Sequence, residues 1–253
     1  MPAAAAISGF FPGFLLVLLR SSVFLAFLPV LGSKNLPGRF RIGLAVAIAA
    51  LLAPVVDLRP AEDGAAVLVV REVVFGMVLG LAVRSVFFGV EIAGQMVSDA
   101  MGLSIATVFN PEIGQSTEIA RLLAIVATLL FLVTDAHHEL IAIFVRSYDL
   151  VPPGGGDVRA LAGEAVAIVG RLFLFAVKLA APVLVGMVTL HILLGFLSKA
   201  TPQINIFFIG FPLYIAVGFL ILLLALPAYV AVIGGSFAEL RAEMGRVLAA
   251  GGR

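Results

Sequence analysis

Polar and ionisable side chains recur at helical spacing inside two strongly apolar stretches of this chain. The first set follows steps of seven, four, three and one: Arg84, Glu91, Gln95, Ser98 and Asp99. The second set follows steps of seven: Glu164, Arg171 and Lys178. Such spacing places each set on one face of a helix. Because a charged side chain at mid-bilayer costs about 2.5–3.5 kcal/mol on insertion scales, these faces must meet each other, a wet cavity or a partner chain.

Two interpretations of these polar stripes remain open. Their acidic and basic members could pair between two helices and serve packing alone, or the stripes could line a pathway. Small residues beside the first stripe, Gly76 with Gly80 and Gly89 with Ala93, have the four-residue spacing that permits close contact between helices.

A compact group of metal-ligand types lies at Asp135, His137, His138 and Glu139. Zinc requires three or four convergent ligands, and neither an HExxH motif nor a second cluster accompanies this group. The segment is therefore predicted to be a polar turn between helices, and no metal or other cofactor is expected. The sequence also contains no Walker A loop, dinucleotide fingerprint or GxSxG elbow, so an enzyme is not expected.

The composition indicates the class of protein. Hydrophobic residues make up 62% of the 253 residues and charged residues only 12%, whereas soluble domains average about 25% charged residues. Too little polar surface remains to cover a water-soluble globule, so we predict an all-α polytopic membrane protein. A net charge of +1 gives no basic excess for binding nucleic acid, and the absence of cysteine excludes disulfides and thiol catalysis.

Six apolar blocks must position the polar stripes, at about 10–31, 42–56, 67–90, 119–145, 164–197 and 204–235. We therefore expect about six long helices, partly kinked at Pro182 and Pro227. Helices over 67–105 and 158–199 would exceed a hydrocarbon core of about 30 Å. They must bend, tilt steeply or lie inside a protein assembly.

The distribution of basic residues conflicts with six full crossings. Five blocks separate a basic loop at 32–41 from a basic C-terminal tail, so six crossings would place these two regions on opposite sides of the membrane. Basic segments normally share the cytoplasmic side. Either one block does not cross, or the helices are not conventionally placed. The stretch VPPGGGDVR at 151–159 is the most linker-like and is the predicted boundary between subregions.

Three stretches together resemble the FliR family of flagellar export-gate subunits, called SctT in injectisomes. They are LRSSVFLAFLPVLGSKNLPGRFRIGLA at 19–45, GVEIAGQMVSDAMGLSIATVFNPEIGQ at 89–115 and LSKATPQINIFFIGFPLYIAVG at 197–218. The resemblance implies an all-α subunit of the type III export channel in the bacterial inner membrane, within the flagellar basal body and with a cytoplasmic C-terminus. One departure is Lys199, where the family more often has Arg.

The resemblance also implies an internal plan and a set of partners. Residues 1–157 resemble the partner FliP, and 158–253 resemble the helical hairpin of FliQ, on the evidence of KLAAPVL at 178–184, ATPQIN at 200–205 and Pro212. Expected partners are homologues of FliP, FliQ, FlhB and FlhA, together with unfolded export substrates.

Two sets of site residues are carried over from the family. The segment 106–117 is expected to plug the pore, and the residues assigned to the plug and gate are Ile105, Ala106, Thr107, Val108, Phe109, Asn110, Pro111, Glu112, Ile113, Gly114 and Gln115. The residues expected to contact other subunits are Pro202, Gln203, Asn205, Gly210 and Pro212. Judged without the family, the segment would be an ordinary loop. The alternative function is a secondary transporter, although no inverted repeat is visible.

Overall fold

A computed structural model describes residues 2–28, 37–56, 64–103, 118–201, 203 and 205–252. All regular secondary structure in these ranges is helical. The helices are α1 (Pro2–Phe27), α2 (Gly38–Leu52), α3 (Ala65–Ala100), α4 (Glu118–Val133), α5 (Ala136–Leu150), α6 (Val158–Ala200) and α7 (Ile206–Gly251). The prediction of an all-α membrane protein is confirmed.

Three of the helices are much longer than a bilayer core is thick. Helices α3, α6 and α7 contain 36, 43 and 46 residues, which correspond to about 54, 64 and 69 Å at 1.5 Å per residue. Helix α6 continues through Pro182, and α7 continues through Pro212 and Pro227. The expected excess length of the helices over 67–105 and 158–199 is therefore present.

The apolar block at 119–145 is not a single helix. It divides into α4 and α5, which bend by 69° at the break between them. Asp135 occupies the break with φ 53°, the left-handed conformation that Asp tolerates better than most residues. The hydrophobic pattern alone did not distinguish this break from a continuous helix, because apolar residues continue on both sides of it.

Fewer spans are found than the six apolar blocks suggested. Among the described residues, three helical segments are long and apolar enough to cross a membrane: Ala65–Ala100, Val158–Ala200 and Phe208–Gly251. The bent pair α4–α5 makes a fourth if it forms one span. Helix α2 has only 15 residues, about 22 Å, which is too short for a conventional span.

The fold contains two compact units that interleave along the sequence. The first comprises Met1–Ser85, Leu132–Gly170 and Phe237–Arg253, and the second comprises Val86–Phe131 and Arg171–Ser236. The linker-like stretch at 151–159 lies inside the first unit rather than at a boundary between these units. The division into FliP-like and FliQ-like parts at 157 and 158 concerns resemblance and stays a prediction.

Close packing of α1 on α3 builds the first unit. A Cβ atom added to Gly76 would lie 2.9 Å from the backbone oxygen of Arg20, and one added to Gly80 would lie 2.6 Å from Cβ of Phe27. Neither position has room for a side chain, which accounts for the four-residue glycine spacing. Helix α5 joins the same core, where Phe144 stacks on Phe24 with ring centroids 4.4 Å apart.

The second unit packs the C-terminal part of α3 against α4. The rings of Phe87 and Phe131 meet edge to face with centroids 5.5 Å apart. A side chain on Gly94 would collide with the backbone of Ala120, so α4 approaches α3 closely here. Leu123 and Ala127 are buried on the same face of α4. Small residues thus set the closest helix contacts in each unit, and aliphatic and aromatic side chains fill the core around them.

The candidate spans predict that both basic regions lie on one side of the membrane. If α2 does not cross, then α3, the α4–α5 pair, α6 and α7 separate the loop before α2 from the C-terminal tail, and four crossings return the chain to the same side. The chain has no cysteine, so single-cysteine variants label cleanly. Arg39→Cys and Gly252→Cys should react with a membrane-impermeant maleimide from one side.

Gln203→Cys, at the turn between α6 and α7, is the matched control and should react from the opposite side. Labelling of Arg39→Cys and Gly252→Cys from different sides would show that the number of crossings between them is odd.

Candidate functional site

A buried ion pair joins Arg20 of α1 to Glu72 of α3 in the first unit. Both side chains have no exposed surface. Nε of Arg20 donates to Oε2 of Glu72 at 2.7 Å, and Nη2 donates to Oε1 at 2.9 Å. These two parallel hydrogen bonds form the bidentate geometry that a planar guanidinium and a carboxylate favour.

The guanidinium of Arg20 has further polar and aromatic partners besides Glu72. Nη1 of Arg20 donates to the backbone oxygen of Val151 at 3.0 Å and makes longer contacts of 3.4 Å with Oγ and the backbone oxygen of Ser147. The rings of Phe75 and Tyr148 lie on the guanidinium, each with its centroid 4.4 Å from Cζ. Hydrogen bonds and cation–π contacts together offset the loss of water around this charge.

The glycine-rich stretch after α5 is held on α3 by the same ion pair. The backbone N–H of Gly154 donates to Oε1 of Glu72 at 2.7 Å, and its backbone oxygen accepts from Nη1 of Arg71 at 3.0 Å. Gly154 has φ 82°, which only glycine adopts without strain. The linker-like stretch is thus a packed turn that connects α5 to α6, and its role as a boundary between subregions stays a prediction.

Sequence reasoning noted Arg20 only as part of a family-like pattern and did not select Glu72. A usable signal was present, because both charges lie in apolar runs: VLLRSSVFL around Arg20 and VLVVREVVFG around Glu72 and its neighbour Arg71. Opposite charges in apolar helices are candidates for mutual pairing. Their separation of 52 residues concealed that pairing.

The first polar stripe lies on α3 and differs in exposure along the helix. Ser98 is fully buried, Arg84 and Gln95 are partly buried, and Glu91 and Asp99 are exposed. Nε2 of Gln95 donates to Oδ1 of Asp99 at 3.1 Å. Two carboxylates of this largely apolar helix, Glu91 and Asp99, are therefore exposed rather than buried in the core of their unit.

The second polar stripe lies on α6. Glu164 is partly buried, with Oε1 4.0 Å from Nε of Arg246 in α7. Arg171 and Lys178 are exposed. Glu164 thus has a basic partner that the sequence analysis did not consider, and pairing between the two stripes stays a prediction.

The residues carried over from the family are only partly within the described structure. Residues 104–117, and with them Ile105 and the whole predicted plug 106–117, lie outside it, as does Pro202. Among the predicted subunit contacts, Gln203, Asn205 and Pro212 are exposed, and Gly210 is buried. The backbone oxygen of Asn205 accepts from the N–H of Phe208 at 3.1 Å, which forms the first turn of α7.

Helices α6 and α7 expose most of their apolar surface. In the most apolar stretch of each helix, only 28% of the residues of α6 and 17% of those of α7 are buried, against 44% in α3. Exposed apolar side chains include Phe173, Phe196, Phe208, Leu223 and Leu224. Surface of this extent is stable only against lipid or against other protein chains.

Comparisons with known proteins show extensive similarity. The family described as "Bacterial export proteins, family 1" matches residues 11–240. The chain is 31% identical over 248 residues to the flagellar biosynthetic protein FliR of Bacillus subtilis, covering 94% of this chain and 95% of that protein. It is 34% identical over 218 residues to the flagellar biosynthetic protein FliR of Escherichia coli K12, covering 83% and 82%.

Similarity extends to a second secretion system. The secretion system apparatus protein SsaT of Salmonella typhimurium is 26% identical over 163 residues, which cover 63% of each chain.

Breaking the buried ion pair should destabilise the protein strongly. Glu72→Gln leaves Arg20 as a buried charge without its counter-charge, and such changes cost about 3–5 kcal/mol. The exposed pair of Arg121 and Glu118, with Nη1 and Oε1 3.5 Å apart, supplies the control. Glu118→Gln should cost less than about 1 kcal/mol. The measurement is the free energy of unfolding in mild detergent, followed by circular dichroism.

The double variant Arg20→Leu/Glu72→Leu should cost less than the sum of the two single changes, because no charge is left unpaired. Equal costs for Glu72→Gln and Glu118→Gln would mean that the buried pair has no special role in stability.

Proposed function

Since the chain belongs to the family of bacterial export proteins that contains FliR, we propose that it is a structural subunit of the type III export gate. In broad terms, the chain is a membrane-embedded component of the flagellar or type III export apparatus. In the proposal, the subunit helps to form the entry of the channel for unfolded substrate proteins and closes it when the apparatus is idle. No catalytic role is part of the proposal.

The observation that carries the proposal is the exposed polar face near the C-terminal end of α3. Glu91 and Asp99 are exposed, although α3 is long and has a strongly apolar stretch. A carboxylate in contact with lipid hydrocarbon would be costly. A neighbouring subunit or a water-filled conduit removes that cost, and an export channel supplies both.

The segment that connects α3 to α4 follows this polar face directly. Residues 106–117 combine Pro111 and Gly114 with small polar side chains, so the segment is a poor former of long helix. Ile105, Val108 and Phe109 are apolar and suited to excluding water. We therefore assign this segment the role of a plug, which seals the pore at rest and rearranges for a passing polypeptide.

The uncovered apolar surface supports the need for partner chains, and the family resemblance suggests which chains these are. Helices α6 and α7 leave most residues of their apolar stretches incompletely buried in this chain. Homologues of FliP and FliQ would cover part of it in a hetero-oligomeric core complex, with homologues of FlhB and FlhA as further partners. The assembly would lie in the bacterial inner membrane within the flagellar basal body, with the C-terminus of this chain in the cytoplasm.

Removing residues 106–117 should leave assembly intact and make the membrane permeable to small ions. The physical reason is loss of the only proposed obstruction while the packed helices remain. Conductance of reconstituted complexes and ion sensitivity of cells measure the effect, and co-purification with the partners measures assembly.

The control replaces 106–117 by a Gly/Ser segment of equal length, which preserves the connection between α3 and α4 but not the seal. It should leak as the deletion does. Normal assembly without increased conductance in either variant would contradict the plug role.

The turn between α6 and α7 should contribute to partner contacts. Gln203 and Asn205 are exposed there, and the double change Gln203→Ala/Asn205→Ala should reduce co-purification of the FliP and FliQ homologues severalfold. Ser198→Ala is the control, since its Oγ donates to the backbone oxygen of Gly195 within α6. Unchanged co-purification of the double variant would remove these side chains from the interface.

A further inference from the structure

The break between α4 and α5 brings three metal-ligand side chains together. One carboxylate oxygen of Asp135 and one ring nitrogen each of His137 and His138 lie within 4.8 Å of one another. Oδ1 of Asp135 is 3.4 Å from Nδ1 of His138, and the two imidazole centroids are 4.1 Å apart. Three potential metal ligands therefore converge within this one short segment, without ligands from another part of the sequence.

The local backbone explains this convergence. Asp135 is the only non-glycine residue with positive φ in the described part of the chain, and its backbone oxygen accepts from the N–H of His138 at 3.0 Å. At the N-cap position an Asp carboxylate ordinarily accepts a hydrogen bond from the first turn of the helix. Here it makes no such bond and instead lies beside the ring of His138.

The separations suit a small divalent ion. Two ligand atoms that are each about 2.0–2.1 Å from a tetrahedral ion lie about 3.4 Å apart, which matches the distance between Asp135 and His138. These two side chains are 74% and 72% exposed. Their exposure lets an ion enter and leaves a fourth ligand position for water. Side chains at the surface can also rotate, which would shorten the ligand separations that reach up to 4.8 Å.

We propose that Asp135, His137 and His138 form a binding site for a borderline transition-metal ion such as Zn²⁺. Two imidazoles and one carboxylate favour Zn²⁺, Ni²⁺ or Cu²⁺ over Mg²⁺ and Ca²⁺, which prefer oxygen ligands alone. Glu139 is not a ligand, because its Oε1 pairs with Nη2 of Arg241 at 2.5 Å. The ion would tie Asp135 at the break to the first turn of α5 and so stabilise the bend at this break.

The composition of the chain limits background metal binding in a direct test. The chain has three histidines and no cysteine, so background binding is small if purification uses a tag without histidine. Calorimetric titration of the full chain with Zn²⁺ should give about one ion per chain, and Co²⁺ should develop the visible absorption of a low-symmetry site. His138→Ala and Asp135→Asn each remove a ligand and should weaken binding by about tenfold or more, at least as much as the loss of an outer-shell partner does.

Two variants serve as matched controls, with circular dichroism confirming the fold of every variant. Glu139→Gln alters the neighbouring carboxylate and His191→Ala removes the histidine outside the cluster, so both should bind Zn²⁺ as the unmodified chain does. The proposal is overturned if Zn²⁺ binds no more tightly than Mg²⁺, or if Asp135→Asn and His138→Ala leave the affinity unchanged. Asp135→Asn keeps the size of the side chain, so it tests the ligand even if His138→Ala fails to fold.

Discussion

The pairing of one guanidinium with one carboxylate away from water organises the first compact unit. Arg20 contacts Glu72 on α3, the end of α5 and the turn that follows it, while Glu72 also accepts from Gly154 in that turn. Neither charge is tolerable in this environment without the other. Hence α1, α3, α5 and the glycine-rich turn must be placed together, and Gly76 and Gly80 give α1 the space to approach α3.

Other charges on these long helices also need a polar neighbour, but they are exposed instead of paired inside the unit. Inside the unit, Arg20 and Glu72 satisfy each other, whereas Glu91 and Asp99 on α3 and Lys178 on α6 face outward. A helix that carries exposed charges beside long apolar faces is suited neither to plain lipid nor to water. The proposed function would account for this combination, because a subunit of a channel assembly borders other proteins and an aqueous passage.

Prediction succeeded for long helices, where apolar residues of several types dominate a long stretch. It did not reach the contacts that single residues make with distant parts of the chain. Continuous apolar sequence was sufficient to predict long helices over α3 and α6. The polar cluster at 135–139 predicted a turn between helices, and α4 and α5 do meet at Asp135, although the predicted apolar block at 119–145 has no break. The bond between Gly154 and Glu72 was not predicted, because the composition of the stretch at 151–159 contains no information about a carboxylate 82 positions away in the sequence. The GxxxG spacing, a local feature, correctly indicated close helix contact.

The sequence by itself determined the membrane class, the helical secondary structure, the excess length of α3 and α6, and the resemblance to FliR. Each of these depends on composition, local spacing or residue order, which are properties of the chain before it folds. Only the tertiary structure decided that Arg20 pairs with Glu72, that Gly154 packs on α3, and that Asp135, His137 and His138 converge at a bend. These features depend on distances between atoms, because the energy of an ion pair, a hydrogen bond or a ligand set changes within a few ångströms.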